Sequence, residues 1–462
     1  MQITTSYTAD IKQQAVVEKV NKKENIIGYT SVDKRLMKIT ADTCLEALKL
    51  MVDIFLAEWD YLSIIPTSQK KGRLSRKRAG DILVHNTKYS KSKYPEFDER
   101  FPNMPSFTRR SIVSNALGKV SSYKSNLKNW EEADPKERGK MPTMGLPDRY
   151  ELTFYKQERN LCDFDKGIVG LKLFNGKTWK WYYFKLNPSE ARHISDLAKH
   201  RKMLSPTIQK YKDKYSLKFT FEENKKLVDS TNPLSYTILS VDLGINAPAS
   251  WAIMTADSTV HAKGVIHLGC DEDRLNRLVN RKRQYQQAGK RCKSIYRQIT
   301  AANKQLSIDT CRKIIDIAVL YSVDCIIFEY LDRNGKKKGK RNKERIHLWR
   351  ANDVQDRVEL NAHRLGMRIS RVCAWGTSKY AFNGTGEVKR GKDAKLGTYS
   401  VCRFPDGKVY NCDLSAAQNI GARYFIREYA KLCEYSELPK TPQRTYATLV
   451  DLVSDLSNNI AA

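Results

Sequence analysis

No stretch of about 18 uncharged apolar residues occurs in this 462-residue chain, so it offers no candidate for a membrane-spanning helix. The most apolar early segment, 44–65, is interrupted by Glu46, Lys49, Asp53 and Glu58. The first residues, MQITTSYTADIKQQ, lack a basic stretch followed by an apolar core, and no secretory signal is expected there. The ten cysteines form no CxxC pair and no dense framework, which suits free thiols in a reducing cytoplasm. Internal repeats and low-complexity tracts are missing. Acid is also scarce: 51 Asp+Glu stand against 82 Lys+Arg, a net charge of +31. So positive a field is out of place around a small neutral substrate and favours a polyanion, of which nucleic acid is the commonest. With 41% hydrophobic residues the chain can still bury cores for two or three domains.

Residues 40–62 predict an amphipathic helix, with Leu45, Leu48, Met51, Val52, Phe55 and Trp59 at three- and four-residue steps. A second helix is expected over 108–131, and Pro135, Pro142 and Pro147 mark a boundary near 148. Beyond 150 the period falls to two. The runs 168–174 and 178–185 flank Asn175-Gly176, a hairpin signal in which both turn residues should take positive φ. A second strand pair, 207–211 and 215–221, follows a helix at 188–203, and the whole suggests a small antiparallel sheet or barrel. From 236 the pattern becomes α/β. Strands are expected at 236–242, 249–254, 260–267, 323–329 and 367–375, and helices over 271–322, 346–365 and 413–433.

Three acids stand out. Asp242 closes TILSVD, Glu329 closes VDCIIFE, and Asp413 opens DLSAAQNIGARYF. Two strands of one sheet can bring the first two to one edge, and a helix start beside them adds the third. Neighbouring carboxylates repel unless cations lie between them, and hard oxygen ligands suit Mg2+ or Mn2+. Two such ions would polarise a phosphodiester and activate water. Taken singly, each acid could equally be a turn residue or, for Asp413, a helix cap.

VDLGINAPAS at 241–250, IIFEYL at 326–331 and NCDLSAAQNIGARYF at 411–425 resemble the three motifs of RuvC-type nuclease domains, in particular those of TnpB proteins and the compact Cas12 effectors. WGTS at 375–378 resembles the point where those proteins leave the nuclease sheet for a zinc-ribbon insertion. The resemblance implies a multidomain α+β protein with an RNase H-like (RuvC) nuclease domain, a small antiparallel β-barrel (wedge) and a helical recognition lobe. It places a wedge strand at 1–7, the recognition domain at 8–148 and the wedge at 149–232. The nuclease domain would occupy 233–375 and 412–435 around an insertion at 376–411, with a tail at 436–462. Asp242, Glu329 and Asp413 would be catalytic metal ligands. The implied activity is RNA-guided cutting of double-stranded DNA beside a short motif, with a guide RNA and Mg2+ as cofactors and one chain per guide, in a bacterial or archaeal cytoplasm. RNA-guided binding without cutting, or a guide-independent RuvC-like resolvase or transposase, are the alternatives.

The insertion departs from that family. The interval 376–412 holds Cys402 and Cys412 alone, without histidine, so four tetrahedral ligands are not found and no zinc is expected. Cys373, on a strand, is expected to be a core thiol. Nucleic-acid contacts are expected from three basic stretches: Lys70, Lys71, Arg73, Arg76, Lys77 and Arg78; Arg281, Lys282, Arg283, Lys290, Arg291, Lys293 and Arg297; and Lys336, Lys337, Lys338, Lys340 and Arg341. Lys389 and Arg390 join them from the insertion. The second stretch, 281–297, contains no acid to pair with, so a polyanion would neutralise it. WKWYYF at 179–184 should place one alternate set in a core.

Overall fold

The computed structural model describes residues 1–462 apart from 21–22, 68–73, 88–89, 136–137, 155–165, 212–213, 245–246, 332–349, 433–439 and 462. The chain divides into two compact units, Gln2–Glu223 and Asn224–Ala462, the latter also holding Met1.

The first unit begins with β1 (Gln2–Asp10) and the antiparallel pair β2 (Gln13–Val20) and β3 (Lys23–Ser31). Helix α1 (Lys34–Ala57) starts at Asp33, whose carboxylate accepts from the Arg35 and Leu36 amides. One face of α1, including Leu48, Met51, Val52 and Phe55, is buried as the periodicity requires. Short helices α2 (Trp59–Ile64), α3 (Arg76–Val84) and α4 (Glu96–Arg100) lead to α5 (Ser106–Glu132), which packs along α1 through Ile112, Ala116 and Val120. Gly80 lets α3 approach, because a Cβ there would stand 2.9 Å from Phe55. A buried Arg109–Asp81 ion pair at 2.8 Å ties α5 to α3.

Strands β4 (Ile168–Phe174) and β5 (Trp179–Lys185) form the expected hairpin. Its turn is differently built: Gly176 alone has positive φ (+93°), while the Asn175 side chain accepts from the Lys177 and Thr178 amides. Helix α6 (Pro188–His200) precedes β6 (Lys202–Met203), β7 (Thr207–Tyr211) and β8 (Lys214–Asn224). The expected barrel is not what forms. Among the described residues the strands make two separate four-stranded sheets, β3-β2-β5-β4 and a second in which β8 pairs with β1, β6 and β7. Each buries one side, so the alternation that suggests a barrel is satisfied by open sheets packed against helices. In β5 the Phe184 side is the buried one, with Tyr182 packed beside it.

The second unit is built on a five-stranded sheet. Strands β9 (Ile238–Asp242), β10 (Ala249–Met254) and β11 (Val260–Ile266) form an antiparallel meander. The basic helices α7 (Gly269–Gln287) and α8 (Lys293–Leu320) then lead to β12 (Cys325–Tyr330), parallel to β9. Helix α9 (Ala351–Arg364) crosses to β13 (Arg368–Cys373), parallel to β12, and the sheet order is β11-β10-β9-β12-β13. A three-stranded sheet of β14 (Lys389–Arg390), β15 (Val401–Arg403) and β16 (Val409–Asn411) precedes α10 (Cys412–Leu432) and the final helix α11 (Tyr446–Ala461).

Strand alternation decides the two faces of this sheet. Leu239, Val241, Ile326 and Phe328 point into one core with Ile314 of α8 and Val354 and Val358 of α9. Ile238, Cys325, Ile327 and Met254 point into another with Ala417, Ile420 and Phe425 of α10. Gly421 permits the close approach of α10, since a Cβ there would meet the Met254 sulfur at 2.5 Å and the Ser240 hydroxyl at 3.0 Å. Cys373, expected in a core, is exposed at the end of β13.

Candidate active site

The parallel register pairs Val241 with Phe328. One residue further on, Asp242 and Glu329 leave their strands at the same end, and alternation turns both toward the face that α10 covers. Adjacent strands run about 4.8 Å apart, so two carboxylates there feel one another. Leu243-Gly244 makes the exit possible: a Cβ on Gly244 would stand 2.7 Å from the Ala247 carbonyl oxygen.

Asp413 arrives from the start of α10. It is not the cap of that helix. Asn411 is, its side-chain oxygen accepting from the amides of Asp413 (2.9 Å) and Leu414 (3.0 Å). The Asp413 carboxylate is thereby free of capping duty. All three acids are half-buried rather than solvated.

Burial pushes the Asp242 carboxyl well above the usual carboxylate range, and the fields of Glu329 and Asp413 push it further, against an opposing pull from Arg390. Glu329 is also raised by burial, with the Thr377 hydroxyl and the Arg423 guanidinium opposing. Asp413 is raised by burial and lowered by Arg390. The three acids and Arg390 therefore form one electrostatic cluster. They do not converge to coordination distance: among the described residues no group of three or more His, Cys, Asp or Glu side chains could hold a metal ion as placed.

Sequence reasoning assigns Arg390 to the nucleic-acid surface; the structure sets it beside the acids, with its guanidinium donating to the Ser378 carbonyl. It also misses Thr377, which bonds Glu329, and the buried Asn419 and Arg423 that brace the segment around Thr377. The phrase WGTS marks the place without disclosing the contact.

The basic residues divide. Arg76 is engaged within its own unit, donating to the Ser63 (2.6 Å) and Ile65 (3.1 Å) carbonyls and lying over Trp59. Arg78 pairs with Asp81, and Lys77 is exposed. Arg281, Arg283, Lys290, Arg291, Lys293 and Arg297 are exposed on α7, α8 and their connection, and Lys282 is half-buried over the Tyr296 ring. Arg291, Lys293, Tyr296, Arg297 and Lys304 line an open groove of about 740 Å³. Lys389 is exposed. Lys70, Lys71, Arg73, Lys336, Lys337, Lys338, Lys340 and Arg341 lie outside the described residues.

Cys402 of the insertion and Cys412 that follows it are buried with Ala381 and Phe404, and their thiols donate to the Tyr410 and Tyr399 carbonyls. Phe382, Phe404 and Tyr410 pack ring against ring around them, with centroids 5.0–5.9 Å apart.

A family model described as the Aq_aa04 family matches residues 22–175. No curated protein matches the sequence. Solved structures similar to this chain include a Cas12f1–sgRNA–target DNA complex, at 14% identity over 90% of this chain and 98% of that one, with a TM-score of 0.33. A CRISPR-Cas12f ternary complex is similar at 14% identity over 84% and 82% of the two chains, with a TM-score of 0.30. Alicyclobacillus acidoterrestris C2c1 with single-guide RNA is similar at 10% identity over 85% and 66%, with a TM-score of 0.42.

Proposed function

We propose that the chain is an RNA-guided DNA endonuclease. It holds a guide RNA, pairs it with one strand of a double-stranded target beside a short motif, and hydrolyses DNA phosphodiesters at Asp242, Glu329 and Asp413. One observation carries this reading: two carboxylates at matching ends of adjacent parallel strands, with a third in the first turn of the helix laid over the same face.

The donor set is all hard oxygen, which suits Mg2+ or Mn2+. Burial and two carboxylate neighbours disfavour the charged form of Asp242, a repulsion that a cation relieves, so the chemistry of these residues fits a divalent ion. Bound there, such ions supply Lewis acidity to a phosphoryl oxygen and a hydroxide at neutral pH. Asp242, Glu329 and Asp413 would hold them, and Arg390 balances the remaining negative charge next to the scissile phosphate. The exposed cations of α7 and α8 track the nucleic-acid backbone and supply affinity, while guide pairing supplies sequence. The five-stranded unit is read as the RuvC-type nuclease domain interrupted by 376–411. The two sheets of the other unit are read as the wedge, and α1–α5 as the recognition lobe.

Presence of all three acids favours cutting over guided binding alone, and the long basic upstream half argues against a minimal resolvase. Two measurements test the proposal. The purified chain should carry RNA, seen as an absorbance ratio well above that of free protein. Loaded with guide, it should cut matching DNA in Mg2+ or Mn2+ and not in EDTA. Asp242→Ala, Glu329→Ala and Asp413→Ala should each fall below a few per cent of the parent rate while still binding target. A variant that cuts near the parent rate removes that residue from the ligand set.

A further inference from the structure

The segment after β13 turns back over the carboxylates, and α10 holds it. Asn419, fully buried, donates from its amide nitrogen to the Thr377 and Tyr380 carbonyls, both at 2.9 Å. Its side-chain oxygen accepts from the Tyr446 amide at 3.0 Å. Three hydrogen bonds thus hold that amide, and it cannot flip without breaking them. Four residues on, and so on the same helix face, Arg423 donates to the Cys373 (2.7 Å) and Trp375 (3.0 Å) carbonyls and to the Arg444 carbonyl (3.1 Å). Both legs of the 373–380 segment are therefore fixed to α10. At its top Thr377, 2% exposed, directs its hydroxyl to Glu329 Oε1 and to the Ala374 carbonyl. A hydroxyl has one hydrogen, and an ionised Glu329 competes for it more strongly than a neutral carbonyl.

We infer that Thr377 is a positioning residue for Glu329, held in place by Asn419 and Arg423, so that the helix that carries Asp413 also sets the orientation of the second carboxylate. The inference rests on the proposed role of Glu329 as a metal ligand. With Oε1 held by the Thr377 hydroxyl, the Glu329 carboxylate is fixed in the one orientation in which it would meet a divalent ion. Partners that orient a ligating carboxylate are worth about 10–100-fold in metal affinity.

The test is calorimetric titration of Mn2+ into the full-length chain, with each variant's Mn2+-induced thermal shift measured against its own metal-free midpoint. Thr377→Val keeps the shape and removes the hydroxyl; Thr377→Ser keeps the hydroxyl. Thr377→Val should bind Mn2+ about ten-fold or more weakly, show a smaller Mn2+-induced shift and need correspondingly more Mn2+ for half-maximal cutting, with the KM for DNA unchanged. Thr377→Ser should stay within about three-fold of the parent. Parent-like Mn2+ affinity in Thr377→Val, or a Ser variant as weak as the Val variant, overturns the inference. Referencing each shift to the variant's own midpoint keeps the comparison valid if Thr377→Val lowers stability. Glu329→Gln separates the two levels. If it leaves Mn2+ binding intact, the ligand assignment fails; if it abolishes binding while Thr377→Val does not weaken it, the positioning role alone fails.

Discussion

Asp242 and Glu329 stand one residue beyond the register pair Val241–Phe328, at matching ends of two parallel strands and on the face that α10 covers. Neither strand needs an acid for folding. The buried runs that precede them, Ile238–Val241 and Cys325–Phe328, supply the packing. The acids are a cost that those runs offset, and their placement has consequences for stability as well as chemistry.

Asp242→Asn should raise the unfolding midpoint in metal-free buffer at pH 7–8 while removing cutting. Burial first, then Glu329 and Asp413, raise the folded-state pKa of Asp242 above its unfolded value. The folded chain then binds the proton more tightly than the unfolded chain does. The stability this group allows is fully present below the unfolded pKa and is lost as pH rises through the folded pKa. At neutral pH, above the unfolded pKa, this carboxyl therefore works against folding, and the amide does not. A gain of at least about 2 °C is expected, shrinking as pH falls toward 4 and shrinking also when Mn2+ is added to the parent. Calorimetric scans at pH 4.5 and 7.5 check it; an amide variant less stable at pH 7.5 than at pH 4.5, relative to the parent, removes the premise.

Arg390→Gln should slow cutting by about ten-fold or more and shift the acid limb of the rate–pH profile upward. Arg390 lowers the pKa of both Asp242 and Asp413. Without it the two carboxyls keep their protons to higher pH, and a protonated carboxyl is a poor cation ligand. Arg390→Lys should restore part of the rate by restoring the charge. Rates measured from pH 6 to 9 at fixed Mg2+ decide the matter: an equal loss at every pH means that Arg390 acts only on the substrate phosphate.

How much of this is legible in the sequence follows from distance along the chain. The strands of the second unit are readable because each is a short apolar run, and β10 occupies Ala249–Met254 as expected. The acids are readable because a charge ending such a run is conspicuous. The bonds among Thr377, Asn419 and Glu329 link residues 42 and 48 positions apart, and no local pattern encodes them. The pair β2–β3 is missed for another reason. Its strands carry polar residues on both faces, and a register shift between Val16 and Val17 breaks the period of two. The helical region expected over 271–322 forms as two helices, because Gly289, with φ of +65°, ends the first.

Replacing Arg281, Lys282 and Arg283 together by Gln should weaken nucleic-acid binding without changing which sequence is bound. Arg281 and Arg283 are exposed on α7, and Lys282 lies over Tyr296 of α8 beside the basic groove. Removing one cation from a backbone phosphate should make the slope of log affinity against log salt shallower by about 0.7–0.9. A series from 50 to 300 mM salt, with matched and mismatched targets, is the measurement. An unchanged slope would mean that this face is merely solvated.

The insertion should fold without metal. Cys402 and Cys412 are free, buried thiols that donate to the Tyr410 and Tyr399 carbonyls at 3.5 and 3.6 Å. A closed zinc site needs four ligands, and two thiols in an aromatic cluster do not make one. Packing takes the place of metal: Phe382 lies 5.0 Å from Tyr410 and 5.7 Å from Phe404, and aromatic pairs of this kind contribute about 0.5–1.5 kcal/mol beyond their burial. Buried thiols behave as small apolar groups, so Cys402→Ala with Cys412→Ala should cost about 1–3 kcal/mol of stability and leave cutting within about three-fold of the parent. Phe404→Ala, which empties the centre of the cluster, should cost about 3–5 kcal/mol and lower cutting more than the double cysteine variant does, because β15 and β16 lead directly into Asp413. Native mass spectrometry should find less than about 0.2 zinc per chain. One zinc per chain, lost with activity in the double cysteine variant, would reverse the order of these two effects and place the fold of 376–411 on a metal after all.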